Sequence, residues 1–474
     1  MSKLNYEPVI GLEVHVQLKT ESKVFCGCST KFGAPQNTNV CPVCLGLPGS
    51  LPVLNKKTVE FAVLAGLSLN CKVSNYCKFD RKNYYYPDLP KNYQISQYDK
   101  PFAENGWIET VSRKIKIKRV HLEEDAGKLI HSENEKASFV DFNRTGMPLL
   151  EIVSEPDIFS PDEAQDYLTV LKQIIQYLGI SDCNMEEGSL RCDANISLRP
   201  KGTTGLGVKT EIKNMNSFKG VHKALCHEIE RQTRALEEGK RIVQETRLWD
   251  PDTLTTHSMR SKEEAHDYRY FPEPDLVPVE LSDEWISGIK KQLPEIPKER
   301  AKRFVLQYGI PEYDAGVLTN ERVLADYYES AVKCGGNPKL ISNWTMSELL
   351  RELNNAVIPA DKSPVSSKNL SSLVQLIEGG TISGKIGKDV FAEMFKTGKS
   401  PEEIIKEKGL IQINDTGALD AAIEKVIENN QKSVADYKSG KENAVMFLVG
   451  QVMKETKGKA NPGVVQKMLK EKLL

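Results

Sequence analysis

The chain has 474 residues, 39% hydrophobic and 27% charged, with a formal net charge of −1. That balance fits an ordinary soluble protein of about two to four domains. It excludes a global basic field, so any nucleic-acid contact must be local, and no apolar run nears the roughly 18 residues of a membrane span. Glu13 and His15 interrupt the only apolar segment near the start, so no signal peptide is expected; the start lacks the Arg- and Ser-rich leader of a transit peptide, and a cytoplasmic location is expected.

Residues 9–18, VIGLEVHVQL, alternate strictly and predict a half-buried strand. Leu12, Val14, Val16 and Leu18 face a core; Glu13, His15 and Gln17 face the other way. A carboxylate and an imidazole about 7 Å apart on a rigid strand suit a metal or phosphate site. A wet strand face is the alternative. Of ten cysteines, Cys71, Cys77, Cys183, Cys192, Cys226 and Cys334 are scattered and read as small buried hydrophobes. Cys26, Cys28, Cys41 and Cys44 form two close pairs across a short loop, the spacing of a zinc site. Four thiolates leave no open coordination position, so a structural zinc is expected, with free thiols as the alternative.

The segment 80–88, DRKNYYYPD, could stack on a nucleic-acid base, or could be packing aromatics with solvated charges. Residues 120–128, VHLEEDAGK, end a strand in Glu123, Glu124 and Asp125, which repel unless a cation sits among them or they splay into solvent. Alternation does not choose between Glu123 and Glu124. The strand around 149–153 buries Glu151, which must then meet a cation or hydrogen-bond donors.

A helix opens at Ser160-Pro161-Asp162-Glu163, a capping box, and stops at Gly179. In the strand at 190–199, Arg191, Asp193 and Asn195 face outward; further on, Lys209, Glu211 and Lys213 share one face. A second helix follows Ser217 and ends near Gly239. The first ~290 residues therefore read as an α+β domain on a largely antiparallel sheet. Five strands offering acids, or acids with Lys or Arg, favour a metal–nucleotide site over a salt-bridged solvent face.

Pro294 and Pro297 mark a break into helices near 298–308, 320–333, 339–355, 366–378 and 387–396. A second capping box at Ser400–Glu403 leads to a tail with helices across 418–430, 443–456 and 463–474. The expected domains are 1–293, 294–405 and 406–474. The run GGTISGK at 379–385 starts like a phosphate-binding loop, but Ile386 stands where Ser or Thr is needed and a helix precedes it, so it reads as a helix–turn–helix connection. Lys454, Lys457 and Lys459 near the end favour a helix dipole or contact phosphates.

Together VIGLEVHVQL, KFDRKNY at 78–84, HLEEDAGK at 121–128, PLLEIVSEPD at 148–157, EEGSLRCDANIS at 186–197, DYRYFPEPD at 267–275 and KETKGKANP at 454–462 resemble the GatB family of the GatCAB tRNA-dependent amidotransferases. The resemblance runs end to end. It implies a mostly antiparallel-sheet cradle domain, an all-α helical domain and a small YqeY-like tail. It implies ATP- and Mg²⁺-dependent phosphorylation of the misacylated side chain on Glu-tRNA(Gln) or Asp-tRNA(Asn), then amidation with ammonia from the amidase GatA, in a heterotrimer completed by the small protein GatC. By the same resemblance, His15, Glu124 and Glu151 hold Mg²⁺ with Glu13 beside them; the family pattern favours Glu124 over Glu123. Arg191, Asp193, Lys209 and Lys213 handle nucleotide and acyl phosphate, and the tail lysines with the helical domain grip tRNA. The second reading is a non-catalytic tRNA-binding scaffold of the same complex.

Overall fold

The computed structural model describes residues 5–131, 137–261, 268–410, 416–439, 441, 443–456, 460 and 462–473. The chain divides into two compact units, Met1–Ile296 and Pro297–Leu474.

The first unit is built on a nine-stranded sheet. In chain order its strands are β1 (Tyr6–Gln17), β2 (Lys72–Val73), β3 (Ala103–Glu109), β4 (Lys114–Glu124), β5 (Pro148–Ser154), β6 (Leu190–Pro200), β7 (Thr210–Met215), β8 (Glu245–Asp250) and β9 (Thr255–Ser261). Their spatial order is β9-β8-β7-β6-β1-β5-β4-β3-β2. All pairings are antiparallel except β7 with β8. β1 is central, and its alternation works as predicted: Leu12, Val14 and Val16 are fully buried.

Three helices, α1 (Lys56–Ser68), α2 (Pro161–Leu178) and α3 (Phe218–Glu237), join those residues in one hydrophobic core. Each such buried Leu or Val contributes about 1.5–3 kcal/mol. Ser160 caps α2 by accepting from the Glu163 amide at 3.1 Å, but the Glu163 carboxylate reaches back to the amide of Phe159 at 2.8 Å, not to Ser160 itself. Gly179 ends α2 with a left-handed φ of 69°, which glycine takes at no steric cost. The helix α1 is absent from the sequence reading because residues 58–66 are nearly all apolar or small, leaving no amphipathic period to detect.

The second unit is helical, from Pro297–Tyr308 to Pro462–Leu473. Its buried apolar residues form two separate clusters, one from Phe304 to Ile405 and one from Leu419 to Leu473. Residues 379–383 link the helix Ser367–Glu378 to the helix Gly384–Thr397, with Ser383 capping the second, so the GGTISGK run is a helix–turn–helix connection. In the capping box at Ser400 both arms are made: the Ser400 amide donates to Glu403 at 2.9 Å, and the Glu403 amide to Ser400 Oγ at 3.3 Å. Short helices at Glu312–Leu318 and Gln431–Lys438 add to those expected.

Glu329 fastens the first turns of this unit. It accepts from Arg300 Nη2 at 2.7 Å, Arg303 Nη1 at 2.8 Å and Tyr308 Oη at 3.2 Å. Burial opposes its ionisation, yet the two guanidinium groups outweigh that and hold its pKa at about 2, below the usual 4.5. The contribution of these pairs is therefore complete above pH 4.5 and is lost as pH falls from 4.5 through 2. Glu329→Gln is expected to destabilise this unit by about 1–3 kcal/mol at neutral pH. Urea titrations with hydrogen-exchange readout should show the difference from wild type shrinking across that acid window.

Candidate active site and cysteine cluster

The sheet register builds the polar face. Arg191 on β6 lies opposite His15 on β1, His15 opposite Glu151 on β5, and Glu151 opposite His121 on β4. One step along, Asp193 lies opposite Glu13. Neighbouring strands are only ~4.8 Å apart, so each such row brings its side chains into contact. His15 Nε2 is 3.5 Å from Glu151, 3.6 Å from Glu13 and 3.8 Å from Glu123. His121 Nε2 is 3.3 Å from Glu151 and 3.5 Å from Glu123. Glu13, His15 and Glu151 form one group able to hold a metal ion, and His121, Glu123 and Glu151 form another, sharing Glu151.

Burial opposes charge throughout this cluster, but opposite charges override it. Burial alone would lower the His15 and His121 pKa values; the adjacent carboxylates raise both, His121 to about 9. Burial would raise Glu151 and Glu123; the imidazoles hold both below the usual carboxylate range, Glu151 well below. Glu13 goes up instead, through burial and then the charge of Glu151. A buried surplus of carboxylate, faced by imidazole nitrogens, is a donor set for a divalent cation.

Of the expected trio His15, Glu124 and Glu151, the structure brings together His15 and Glu151 and turns Glu124 away. Of the two neighbours it is Glu123 that stands beside them, 3.8 Å from His15. The reason is strand alternation: His121 and Glu123 share one side of β4, and Glu124 falls on the other. There Glu124 Oε1 binds Lys91 Nζ and accepts from the Ile95 amide at 2.9 Å.

Cations flank the acids. Arg191 Nη2 is 2.9 Å from Asp125 Oδ1. Lys213 Nζ binds the Asp193 carboxylate and lies 3.2 Å from Glu211. Burial opposes its charge, but those two carboxylates raise its pKa. Lys209 is exposed just ahead of β7, and with Glu13, Lys118 and Asn195 it lines a cleft of about 370 Å³. A larger cavity of about 550 Å³ is lined by Arg191, Asp193, Lys31, Lys128 and Arg144, among others.

Sequence reasoning missed Lys82, His121 and Arg119 as site residues. Lys82 comes from the short strand Asp80–Asn83 in a separate three-stranded sheet. Its Nζ sits 5.1 Å from the Tyr268 ring centre and 5.9 Å from that of Tyr84, and the charges of Glu123 and Glu151 help raise its pKa against burial. Arg119 Nη2 is 3.5 Å from Glu151. In the 80–88 segment, Arg81 is bound by Glu273 at 2.7 and 2.8 Å, while Tyr85 and Tyr86 stay exposed.

Cys26, Cys28, Cys41 and Cys44 place their sulfurs within 4.8 Å of one another. Cys41 and Cys44 are 3.9 Å apart, close to the ~3.8 Å edge of a tetrahedron with ~2.3 Å metal–sulfur bonds. Hydrogen bonding with Cys26 comes first among the causes that bring Cys44 down to about 5, with Lys23 also contributing; burial pushes Cys28 up to about 11. Lys23 is fully buried and donates to the Asn39 carbonyl at 2.8 Å. In the tail, Lys454 lies on the helix Asn443–Glu455; Lys457 and Lys459 lie outside the described residues.

The unit that carries both clusters coincides with a known family. The GatB/GatE catalytic domain matches residues 8–287. The chain belongs to the GatB/GatE family. A GatB domain also matches residues 326–473. Three GatB relatives illustrate the similarity, each named as the B subunit of an aspartyl/glutamyl-tRNA(Asn/Gln) amidotransferase. The one from Carboxydothermus hydrogenoformans is 62% identical, covering 99% of each chain. That from Caldanaerobacter subterraneus is 58% identical over 99% of this chain and 100% of its own. That from Brevibacillus brevis is 55% identical over 100% and 99%. Among the described residues no helix is long and apolar enough to cross a membrane.

Proposed function

We propose that the chain is the GatB component of a tRNA-dependent amidotransferase, working with the amidase GatA and the small protein GatC. It converts Glu-tRNA(Gln) or Asp-tRNA(Asn) to the amidated form in the cytoplasm. The observation that carries this reading is the meeting of Glu13, His15, Glu123, Glu151 and His121 in a GatB-family unit, with Arg191 across from His15 in the sheet and the Lys82 charge felt by Glu123 and Glu151. A pure scaffold has no use for so costly a buried cluster.

A free carboxylate is a poor acyl donor. Transfer of the γ-phosphoryl group of ATP to a side-chain oxygen gives an acyl phosphate and ADP. Ammonia then attacks the acyl carbon and inorganic phosphate leaves. Glu13, His15 and Glu151, or His121, Glu123 and Glu151, would hold Mg²⁺, which neutralises phosphate charge when bound. Arg191 and Lys213, held by Asp125 and Asp193, would orient and neutralise phosphoryl oxygens; Lys209, in the separate cleft beside Glu13, would offer a further cation for nucleotide or acyl phosphate. Burial of the cluster keeps water from hydrolysing the acyl phosphate. The four cysteines would hold a structural Zn²⁺. The separate apolar cluster from Leu419 to Leu473 supports a distinct tail domain from about residue 406, whose Lys454, Lys457 and Lys459 would bind tRNA phosphates.

The test uses the assembled heterotrimer. ADP should form in step with amidated tRNA and only when misacylated tRNA is supplied. Amidation without ATP cleavage would show a scaffold and defeat the reading.

A further inference from the structure

Arg191 lines the larger cavity and is held there by a chain of supports. Its Nη2 is 2.9 Å from Asp125 Oδ1, and its buried Nε has no protein hydrogen-bond partner among the described residues. Asp125 is itself braced. Its amide donates to the Met147 carbonyl at 2.8 Å, its carbonyl accepts from the Gly146 amide at 2.9 Å, and Arg144 Nε stands 3.4 Å from Oδ2. Arg144 is pinned in turn: Nε donates to the Ala126 carbonyl at 3.0 Å and Nη2 to the Gly127 carbonyl at 2.6 Å. The turn at Gly127 is crowded, since a Cβ there would lie 3.0–3.1 Å from the Asp88 and Asp141 carbonyls and Thr145 Oγ1.

The segment carrying Arg144 is stitched to the cysteine loop. Asn37 donates from Nδ2 to the Val140 carbonyl at 3.0 Å and accepts from the Phe142 amide at 2.8 Å. The Asn39 amide donates to Asn143 Oδ1 at 2.8 Å, and Asn143 Nδ2 donates to the Pro35 carbonyl at 2.7 Å. These bonds join residues 103–108 positions apart, from a loop with little regular structure.

We propose that Arg144 is a positioning residue: through Asp125 it aims the Arg191 guanidinium at the phosphate-handling cavity, and the cysteine loop holds Arg144 in register by way of Asn37, Asn39 and Asn143. This deepens the reading of Arg191 given above and rests on it. The cysteine loop thereby gains a task within its own chain, fixing one cation of the phosphoryl-transfer site.

The test compares Arg144→Ala, Arg144→Lys, Asn143→Ala and Arg191→Ala in the assembled heterotrimer. KM for ATP, kcat, zinc content and melting temperature are read for each. Arg144→Ala should raise KM for ATP by about tenfold, leaving KM for misacylated tRNA and zinc content at wild-type values. Arg144→Lys, which keeps the charge beside Asp125, should recover part of the loss. Asn143→Ala should shift KM for ATP the same way by a smaller factor. A purely structural role would lower the melting temperature of Arg144→Ala and leave KM for ATP unchanged, and that result overturns the proposal. If Arg191→Ala itself leaves both ATP parameters unchanged, the assignment of Arg191 falls first. If Arg191→Ala impairs ATP use and Arg144→Ala does not, only the positioning role falls; it falls too if Arg144→Ala raises KM for ATP further in an Arg191→Ala background, because Arg144, itself a wall of the cavity, would then meet the phosphate directly.

Discussion

Glu123→Gln is expected to cut tRNA-dependent ADP formation by about 10³-fold or more, with a smaller loss of stability than Glu124→Gln because Glu151 still faces both imidazoles. The substitution keeps size and shape but removes a carboxylate that faces both His15 and His121. Its oxygen can still accept from Ser96 Oγ, which lies 2.9 Å away. Loss of that charge weakens any cation held there and the field that accommodates the phosphoryl group. Glu124→Gln should behave oppositely. It neutralises the partner of Lys91, whose side chain is only 9% exposed, and leaving a buried ammonium without its counter-charge costs about 3–5 kcal/mol. The melting temperature should drop while ADP formation per folded complex falls by at most about tenfold. Steady-state kinetics and thermal denaturation on both variants decide the matter. Full activity in Glu123→Gln with collapse in Glu124→Gln would return the site to the residue that the family pattern suggested.

That pair of neighbours shows where the sequence stopped being readable. On β1 and β6 the alternation is unbroken, so Glu13, His15, Arg191 and Asp193 could be placed on one face directly. On β4 it is broken. Ile115 and Ile117 face the core, and so do Val120 and Leu122, which cannot all share one phase. A bulge opposite Val153/Ser154 inserts the extra residue and flips the strand. Nothing in a single sequence marks that insertion, so Glu123 and Glu124 stayed interchangeable and His121 went unnoticed beside them.

Long-range partners were equally hidden. Arg81 meets Glu273 across 192 positions, and Lys82, its neighbour, turns to the acid cluster instead. The break at Pro294 and Pro297 was legible because proline punctuates helices locally; the structure divides at Ile296/Pro297. Amphipathic helices such as α2 and α3 were legible for the same local reason. The uniformly apolar α1 and the short helix Glu312–Leu318 carry too little period to be seen.

Cys41→Ser is expected to reduce zinc from about one ion per chain to near none, because a tetrahedral thiolate site with one ligand removed loses most of its affinity. The consequence should be confined to the loop it closes and the 138–147 segment that loop holds. Between β1 and α1 the chain is turns and irregular segments; Val24 and Phe25 anchor its start in the main core, but beyond them Phe32, Leu47, Leu51 and Val53 are exposed and give the loop little apolar burial of its own. A zinc ion held by the four cysteines would supply its binding energy as folding energy of this loop. Leu12, Val14 and Val16 rest on the helices and need no help from it. Hydrogen exchange in Cys41→Ser should therefore rise across residues 26–53 and across 138–147, which the loop holds through Asn37 and Asn39, while β1 keeps its protection. Metal analysis showing undiminished zinc in this variant, or four freely reactive thiols and no metal in the wild-type protein, would remove the ion from the account. The converging sulfurs would then be left to explain a loop that stays ordered without one.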